Sequence, residues 1–307
     1  MTEQSHPSDE GRNGDRNKAR KKPTSAWRKF RRKLSKTRLR VPHIWLRHRG
    51  IRPADVLFGS YPRSGTTWSR FTLFEIMTGE PAGFTAVNTA IRGVGRHPFA
   101  LRALPNGGRL INSHEQYRKE YQRAIYLVRD GRDVALSEFA YTSALEFFRG
   151  DLDQFLQVFL CGKISGFAPW HRHVHGWLDS PIAGTPNLLV VHFEDLRRNP
   201  LESFTKMAEF LGVDAGPERI RRAIANNVLD KMKEKERVEP QRASIKDRFV
   251  RSGSVQGWRS KLTPAQIELF EKHAGSALKR LGYPLFSEIQ DSEKQLDPVL
   301  QRSSLSR

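Results

Sequence analysis

The stretch from Phe58 to Met77, FGSYPRSGTTWSRFTLFEIM, constrains this chain more than any other. A run of strand length, ADVLFGSY, leads into a loop at Pro62–Gly65. A helical pattern follows from Thr66, with Leu73, Ile76 and Met77 apolar and Gly79 to end it. A strand that feeds a loop and then a helix N-terminus offers free backbone N–H groups and a positive dipole end to an anion. Arg63 adds a charged fork, and Ser64, Thr66 and Thr67 add hydroxyl donors. The loop is not a Walker loop, which reads G-x-x-x-x-G-K-S/T. Five residues separate Gly59 from Gly65, and Thr66 stands where the lysine should follow. The pattern fits one or two oxyanion groups better than a triphosphate with magnesium.

The rest of the chain supplies a sheet for this loop. Arg109–Asn112, Ala124–Val128 and Asn187–Val191 are short apolar runs separated by helical stretches, the signature of a buried parallel sheet. In NPLESFTKMAEFLG, Asn199 is placed to cap a helix, with Pro200 in its first turn and Glu202 at the capping-box position. A last helix is expected from about Pro264 to Leu281. The 307 residues suit one large α/β domain or two small ones.

The net charge of +20 is unevenly placed. Residues 1–50 hold sixteen Lys and Arg against four acids, so the extreme basicity is largely a property of the N-terminal segment. We expect residues 1–49 to be a basic, largely disordered tail, 50–285 the domain, and 286–307 a flexible tail. Trp27, Phe30, Leu34 and Val41 fall at helical spacing among basic residues. Such a helix could contact an anionic membrane or nucleic acid, or pack on the domain. Cys161 is the only cysteine, no apolar run reaches the length of a membrane span, and the N-terminus has no signal-peptide core. A cytoplasmic protein is expected.

YPRSGTTW resembles the loop of the PAPS-dependent sulfotransferases, whose donor is 3′-phosphoadenosine 5′-phosphosulfate. The resemblance implies that Arg63, Ser64, Gly65, Thr66 and Thr67 hold the 5′-phosphosulfate and that Trp68 stacks on the adenine. YLVRDGRDVALSEF is similar to that family's 3′-phosphate segment, R-x3-K/R-D-V-x-x-S, and implies Arg129 and Ser137 as ligands. HFEDLRRNP places Phe193 at the family's adenine-side tyrosine, and RSGSVQGW puts Arg251, Ser252 and Gly253 on its second 3′-phosphate clamp. Together these ordered motifs cover about residues 50–285. They imply a three-layer α/β/α fold with a central parallel sheet, like the P-loop nucleoside-triphosphate hydrolases.

Sulfuryl transfer to a hydroxyl needs a base, and a histidine titrates in a useful range. His114, in RLINSHEQ, aligns with the family's base, and Glu115 is the reserve candidate. Asn112 stands where the family usually has lysine, which leaves Arg63 as the side-chain cation for the transferring group. No metal is called for. His171, His173 and His175 resemble a zinc cluster only in spacing, and their W-x2-HV-x2-W setting matches the sulfotransferases. The expected activity is in-line transfer from PAPS to an acceptor hydroxyl, or less readily an amine. A nucleotide kinase or NTPase, and a non-catalytic basic binding module, are the alternatives. Phe84, Phe99, Phe139, Tyr141, Phe147 and Phe148 are candidate acceptor-pocket aromatics, each equally a core residue. The family's dimer segment, K-x3-T-V-x3-E, reads Arg259, Thr263, Pro264 and Glu268 here, so a homodimer rests on an altered motif.

Overall fold

The computed structural model describes residues 40–164, 166–239 and 253–291. The chain divides into two units, Met1–Arg47 and His48–Arg307. Of the basic stretch carrying Trp27, Phe30, Leu34 and Val41, only Arg40 and Val41 are described, both in helix α1 (Arg40–His48). The rest lies outside the described residues, as do Arg251 and Ser252.

Four strands form one parallel sheet: β1 (Val56–Ser60), β2 (Leu110–Ser113), β3 (Ala124–Val128) and β4 (Leu188–His192). Their order is β2-β1-β3-β4. Successive side chains of a strand point to opposite faces, and a parallel sheet covered by helices buries both. Accordingly Val56 and Phe58 of β1, with Ile125 and Leu127 of β3, enter one apolar cluster. Leu57 of β1, with Ala124, Tyr126 and Val128 of β3, enters the other.

The first cluster is closed by helices α2 (Thr66–Thr78), α3 (Phe84–Ala90), α8 (Pro200–Leu211) and α9 (Gly216–Asn226). The second is closed by α4 (Gly131–Ala144), α5 (Leu152–Leu160), α6 (Trp170–Leu178) and α11 (Pro264–Arg280). The result is the expected three-layer α/β/α arrangement. Two short helices, α7 (Phe193–Arg198) and α10 (Leu229–Arg237), complete it. Among the described residues no helix is long and apolar enough to cross a membrane.

Two local expectations need correction. Asn199 does not cap α8 with its side chain, and Glu202 closes no capping box. The reason is that α7 ends at the same residue. The Asn199 N–H already donates to the Asp195 carbonyl at 2.7 Å, so the donor that Glu202 would have met is satisfied. Glu202 pairs with Lys206 instead. The capping box falls on α11, between Thr263 and Gln266, which gives Thr263 and Pro264 a helix-starting role. Beyond residue 285 the chain still packs: the Phe286 N–H donates to Glu271, and Ile289 is 9% exposed within the core.

Candidate active site

The strand order decides which residues meet. The chain goes from β1 to β2 on one side and then crosses to β3 on the other, and an α/β sheet binds ligands at the carboxyl ends beside such a reversal. All four strands deliver functional candidates there. β1 ends at Ser60 and leads into the Pro62–Gly65 loop. β2 ends one residue before His114, β3 one before Arg129, and β4 one before Phe193. A cavity of about 440 Å³ lies at these ends. Arg63, Gly65, Thr66, Thr67, Trp68, Asn112, His114, Arg129, Ser137, Phe193 and Gly253 line it, three layers of sequence distance brought to one place.

Gly65 starts α2 in the left-handed region, φ 95°, and no side chain caps the helix. A Cβ there would stand 2.4 Å from Phe193 Cδ2, so only glycine lets the ring reach the loop. Arg63 also has a positive φ, 69°, which is costly for a residue that carries a Cβ. Arg129 holds that bend in place. Its Nη1 donates to the Arg63 carbonyl at 2.9 Å and its Nη2 to the Ser254 carbonyl at 2.8 Å. One guanidinium thus joins the loop after β1 to the segment after Gly253, while lying 4.7 Å over the Phe193 ring. Trp258 anchors that segment further. Its backbone N–H donates to Asp133 Oδ1 at 3.0 Å, and Arg132 stacks on its ring at 3.7 Å.

The Arg63 side chain turns toward α4. Its Nε donates to Ser137 Oγ at 3.3 Å, and its guanidinium lies 4.4 Å over Tyr141. Two groups expected at separate parts of the site are therefore in contact. Ser64 is the exception among the loop residues: it is fully buried and does not line the cavity, and its Oγ has no partner among the described residues.

His114 Nδ1 lies 2.8 Å from the Ser60 carbonyl oxygen and 3.3 Å from Ser60 Oγ. A carbonyl only accepts, so Nδ1 carries the proton and Nε2 keeps the lone pair. The Ser60 hydroxyl is shared with Thr66 Oγ1 at 2.7 Å, which ties the histidine to the start of α2. Burial pushes the His114 imidazole below its ordinary value. Nearby Arg70 adds to this, and the Ser60 bond opposes it. The ring is neutral at pH 7 and can accept a proton. Glu115, the reserve base, faces elsewhere: its carboxylate pairs with His48 Nε2 at 3.1 Å, and it does not line the cavity. Adjacent residues leaving a strand end point to opposite sides, which separates the two candidates.

The three neighbouring histidines also diverge. His173 accepts and donates between Tyr126 Oη at 2.9 Å and the Glu115 carbonyl at 3.1 Å, while His175 meets Arg280. No group of three or more metal-binding side chains occurs among the described residues. Glu194, adjacent to Phe193, accepts from the Asp130 N–H and from Tyr283 Oη, a structural role. Of the candidate aromatics, Tyr141 lines the cavity. Phe84 is core, Phe139 and Phe148 pack beside Phe155, and Phe99 and Phe147 are exposed.

Seven residues that the sequence analysis does not single out share the cavity: Arg70, Glu138, Phe167, Arg197, Asn227, Leu229 and Met232. The last three sit at and after the end of α9, more than 150 residues from the loop they face. Asn227 is held there because its Nδ2 donates to Glu75 Oε1 on α2 at 2.8 Å. Glu138 carries the one legible signal, an acid directly after Ser137 in a helix otherwise poor in charge at that point.

The family described as Sulfotransferase domain matches residues 53–282. Sulfotransferase 2A1 of Macaca fascicularis is 27% identical over 244 residues, covering 72% of this chain and 83% of that protein. Cytosolic sulfotransferase 1 of Danio rerio is 26% identical over 264 residues, covering 78% and 87%. Among solved structures, retinol dehydratase in complex with androsterone and the inactive cofactor PAP superposes with a TM-score of 0.60 at 21% identity, covering 74% of this chain and 81% of that one. Mouse sulfotransferase SULT7A1 complexed with PAP gives 0.55 at 24% identity, covering 72% and 85%. With the family pattern spanning most of the chain and the sheet, loop and cavity arranged as described, the chain belongs to the sulfotransferase-domain family of PAPS-dependent enzymes.

Proposed function

We propose that this enzyme moves the sulfuryl group of PAPS in line to an acceptor hydroxyl, with His114 as the base. The observation that carries the reading is the His114 ring, whose Nδ1 is engaged by the Ser60 carbonyl while Nε2 is the proton-accepting nitrogen in a cavity shared with the anion-binding loop. PAPS supplies the sulfuryl group and a stable leaving group, 3′,5′-bisphosphoadenosine (PAP).

The residues present suit such a nucleotide. Arg129 Nε and Trp68 Nε1 are buried donors without a hydrogen-bond partner among the described residues. Unsatisfied groups of this kind cost free energy unless a ligand meets them. In this reading the N–H groups of Thr66, Thr67 and Trp68, with Arg63, bind the 5′-phosphosulfate. Arg129 and Ser137, joined by Gly253 and by Arg251 and Ser252 beyond the described residues, bind the 3′-phosphate. Trp68 and Phe193 flank the adenine. His114 Nε2 removes the acceptor proton, and Asn112 contributes a neutral contact where a second cation would otherwise stand.

The test is transfer of labelled sulfuryl from PAPS to a panel of phenols and alcohols, followed by His114→Ala. A positioned base contributes roughly 10²–10⁴-fold. We expect a single-turnover loss of that order with PAP affinity within a few-fold of wild type. Near-wild-type turnover in His114→Ala removes the assigned base, and absence of PAP binding by the wild-type chain removes the site assignment.

A further inference from the structure

We infer that Glu138 selects acceptors that bear a protonated amine in addition to the hydroxyl that is sulfated. The inference rests on the function proposed above and names the substrate class of that site.

Glu138 follows Ser137 on α4 and lines the cavity that holds His114. It is only 5% exposed, and its Oε2 has no hydrogen-bond partner among the described residues. Three other buried acids of this domain are matched by side-chain donors. Asp55 is bound by Arg109, Asp130 by Arg132, and Glu75 by Asn226, Asn227 and the Ala82 N–H. Asp133 keeps one oxygen unpartnered, but its other oxygen accepts from the Trp258 N–H, and it does not line the cavity. Glu138 therefore lines the site with a buried carboxyl group whose Oε2 the described residues leave unmatched.

Burial disfavours the ionised carboxylate, and the Arg63 charge offsets part of that cost. Arg63 is itself occupied by Ser137 and the Tyr141 ring. A purely apolar acceptor would seal Glu138 from water and raise the penalty. An ammonium group would relieve it with a charge-assisted hydrogen bond. The same side chain thus favours one class and disfavours the other, which is how a site gains selectivity. Tyr141 and Phe167 give the same cavity aromatic surface, and Phe167 stands edge-on to His114 at 5.9 Å between ring centres. An acceptor of aromatic width, its hydroxyl toward His114 and its amine toward Glu138, satisfies these groups together.

Tyramine and 4-propylphenol have the same skeleton and differ in the terminal amine. Calorimetric titration of both into the full chain loaded with PAP, with kcat/KM for both, gives the test. Wild type should favour tyramine by about tenfold or more, the effect of one charge-assisted contact. Glu138→Gln should erase most of that ratio, chiefly through KM, with PAP affinity reporting that the variant is folded. A wild type that favours 4-propylphenol, or an unchanged ratio in Glu138→Gln, overturns the inference. A protein that binds PAP but neither phenol also overturns it and leaves the nucleotide site standing. A protein that does not bind PAP brings down both readings.

Discussion

Replacing Gly65 by alanine probes the joint on which the loop depends. Two separate costs follow from the geometry. The left-handed backbone at φ 95° penalises any Cβ by about 1–2 kcal/mol. The added atom also stands 2.4 Å from Phe193 Cδ2 and 2.7 Å from Cε2, well inside contact distance. Phe193 cannot simply retreat, because it is buried, meets Trp68 edge-on at 6.2 Å, and supports Arg129 on its face. Overpacking of this kind costs about 1–3 kcal/mol. The sum for Gly65→Ala is about 2–5 kcal/mol, read by urea unfolding followed by tryptophan fluorescence, with a parallel loss of PAP affinity. Phe193→Ala removes the clashing ring. The double variant should therefore lose less than the two single losses together, with a coupling of about 1–3 kcal/mol, leaving the backbone penalty in place. An additive cycle, or a Gly65→Ala protein as stable as wild type, refutes the close approach of Phe193 to the loop.

Three further outcomes are expected. Arg129→Ala should weaken PAPS by the equivalent of about 1.5–3 kcal/mol, and weaken adenosine 5′-phosphosulfate, which lacks the 3′-phosphate, clearly less. Equal losses for both would reduce Arg129 to its structural bonds with Arg63 and Ser254. In single-turnover assays at saturating PAPS, Arg63→Ala should cost more than Asn112→Ala, and Asn112→Lys should be tolerated or faster, since a neutral bond is roughly half as strong as a charged one. The reverse order would make the amide the essential donor. Burial pushes the Asp133 carboxyl up to about 6, against an unfolded value near 4. The folded state then holds the extra proton between about pH 4 and 6, so wild-type stability declines as pH rises through that window, by at most about 3 kcal/mol. The melting temperature of Asp133→Asn relative to wild type should rise from pH 4 to pH 8, and a difference that does not move with pH removes the carboxylate as its cause.

Much of the site was legible because its parts obey short-range rules. A strand, a glycine-bearing turn and a helix start leave a local trace, so the loop between β1 and α2 and the strands at 110–113, 124–128 and 188–192 are legible to within about a residue. The resemblance names Arg129, Ser137 and His114 as candidates, and the fold brings all three to one cavity. The Asn199 cap failed for a reason outside its window: a second helix ended on the same residue and used the backbone donor. Leu229, Met232 and Arg197 left no trace, since nothing local marks a side chain whose partner is the far loop.

By itself, the order of residues determined the local elements, the parallel sheet and the chemistry available, a histidine, a basic loop and a neutral Asn112. Only the tertiary structure decided how these were pointed. It turned His114 into the cavity and Glu115 toward His48, laid Arg63 against Ser137 and Tyr141, and left Glu138 buried and unmatched beside them. The physical reason is range. Helix, strand and turn preferences act over a few residues, whereas the direction of a side chain at a strand end depends on which strands flank it. The order β2-β1-β3-β4 places the ends of β2 and β3 on either side of β1, and that arrangement comes from packing two apolar faces of a sheet, not from any one segment.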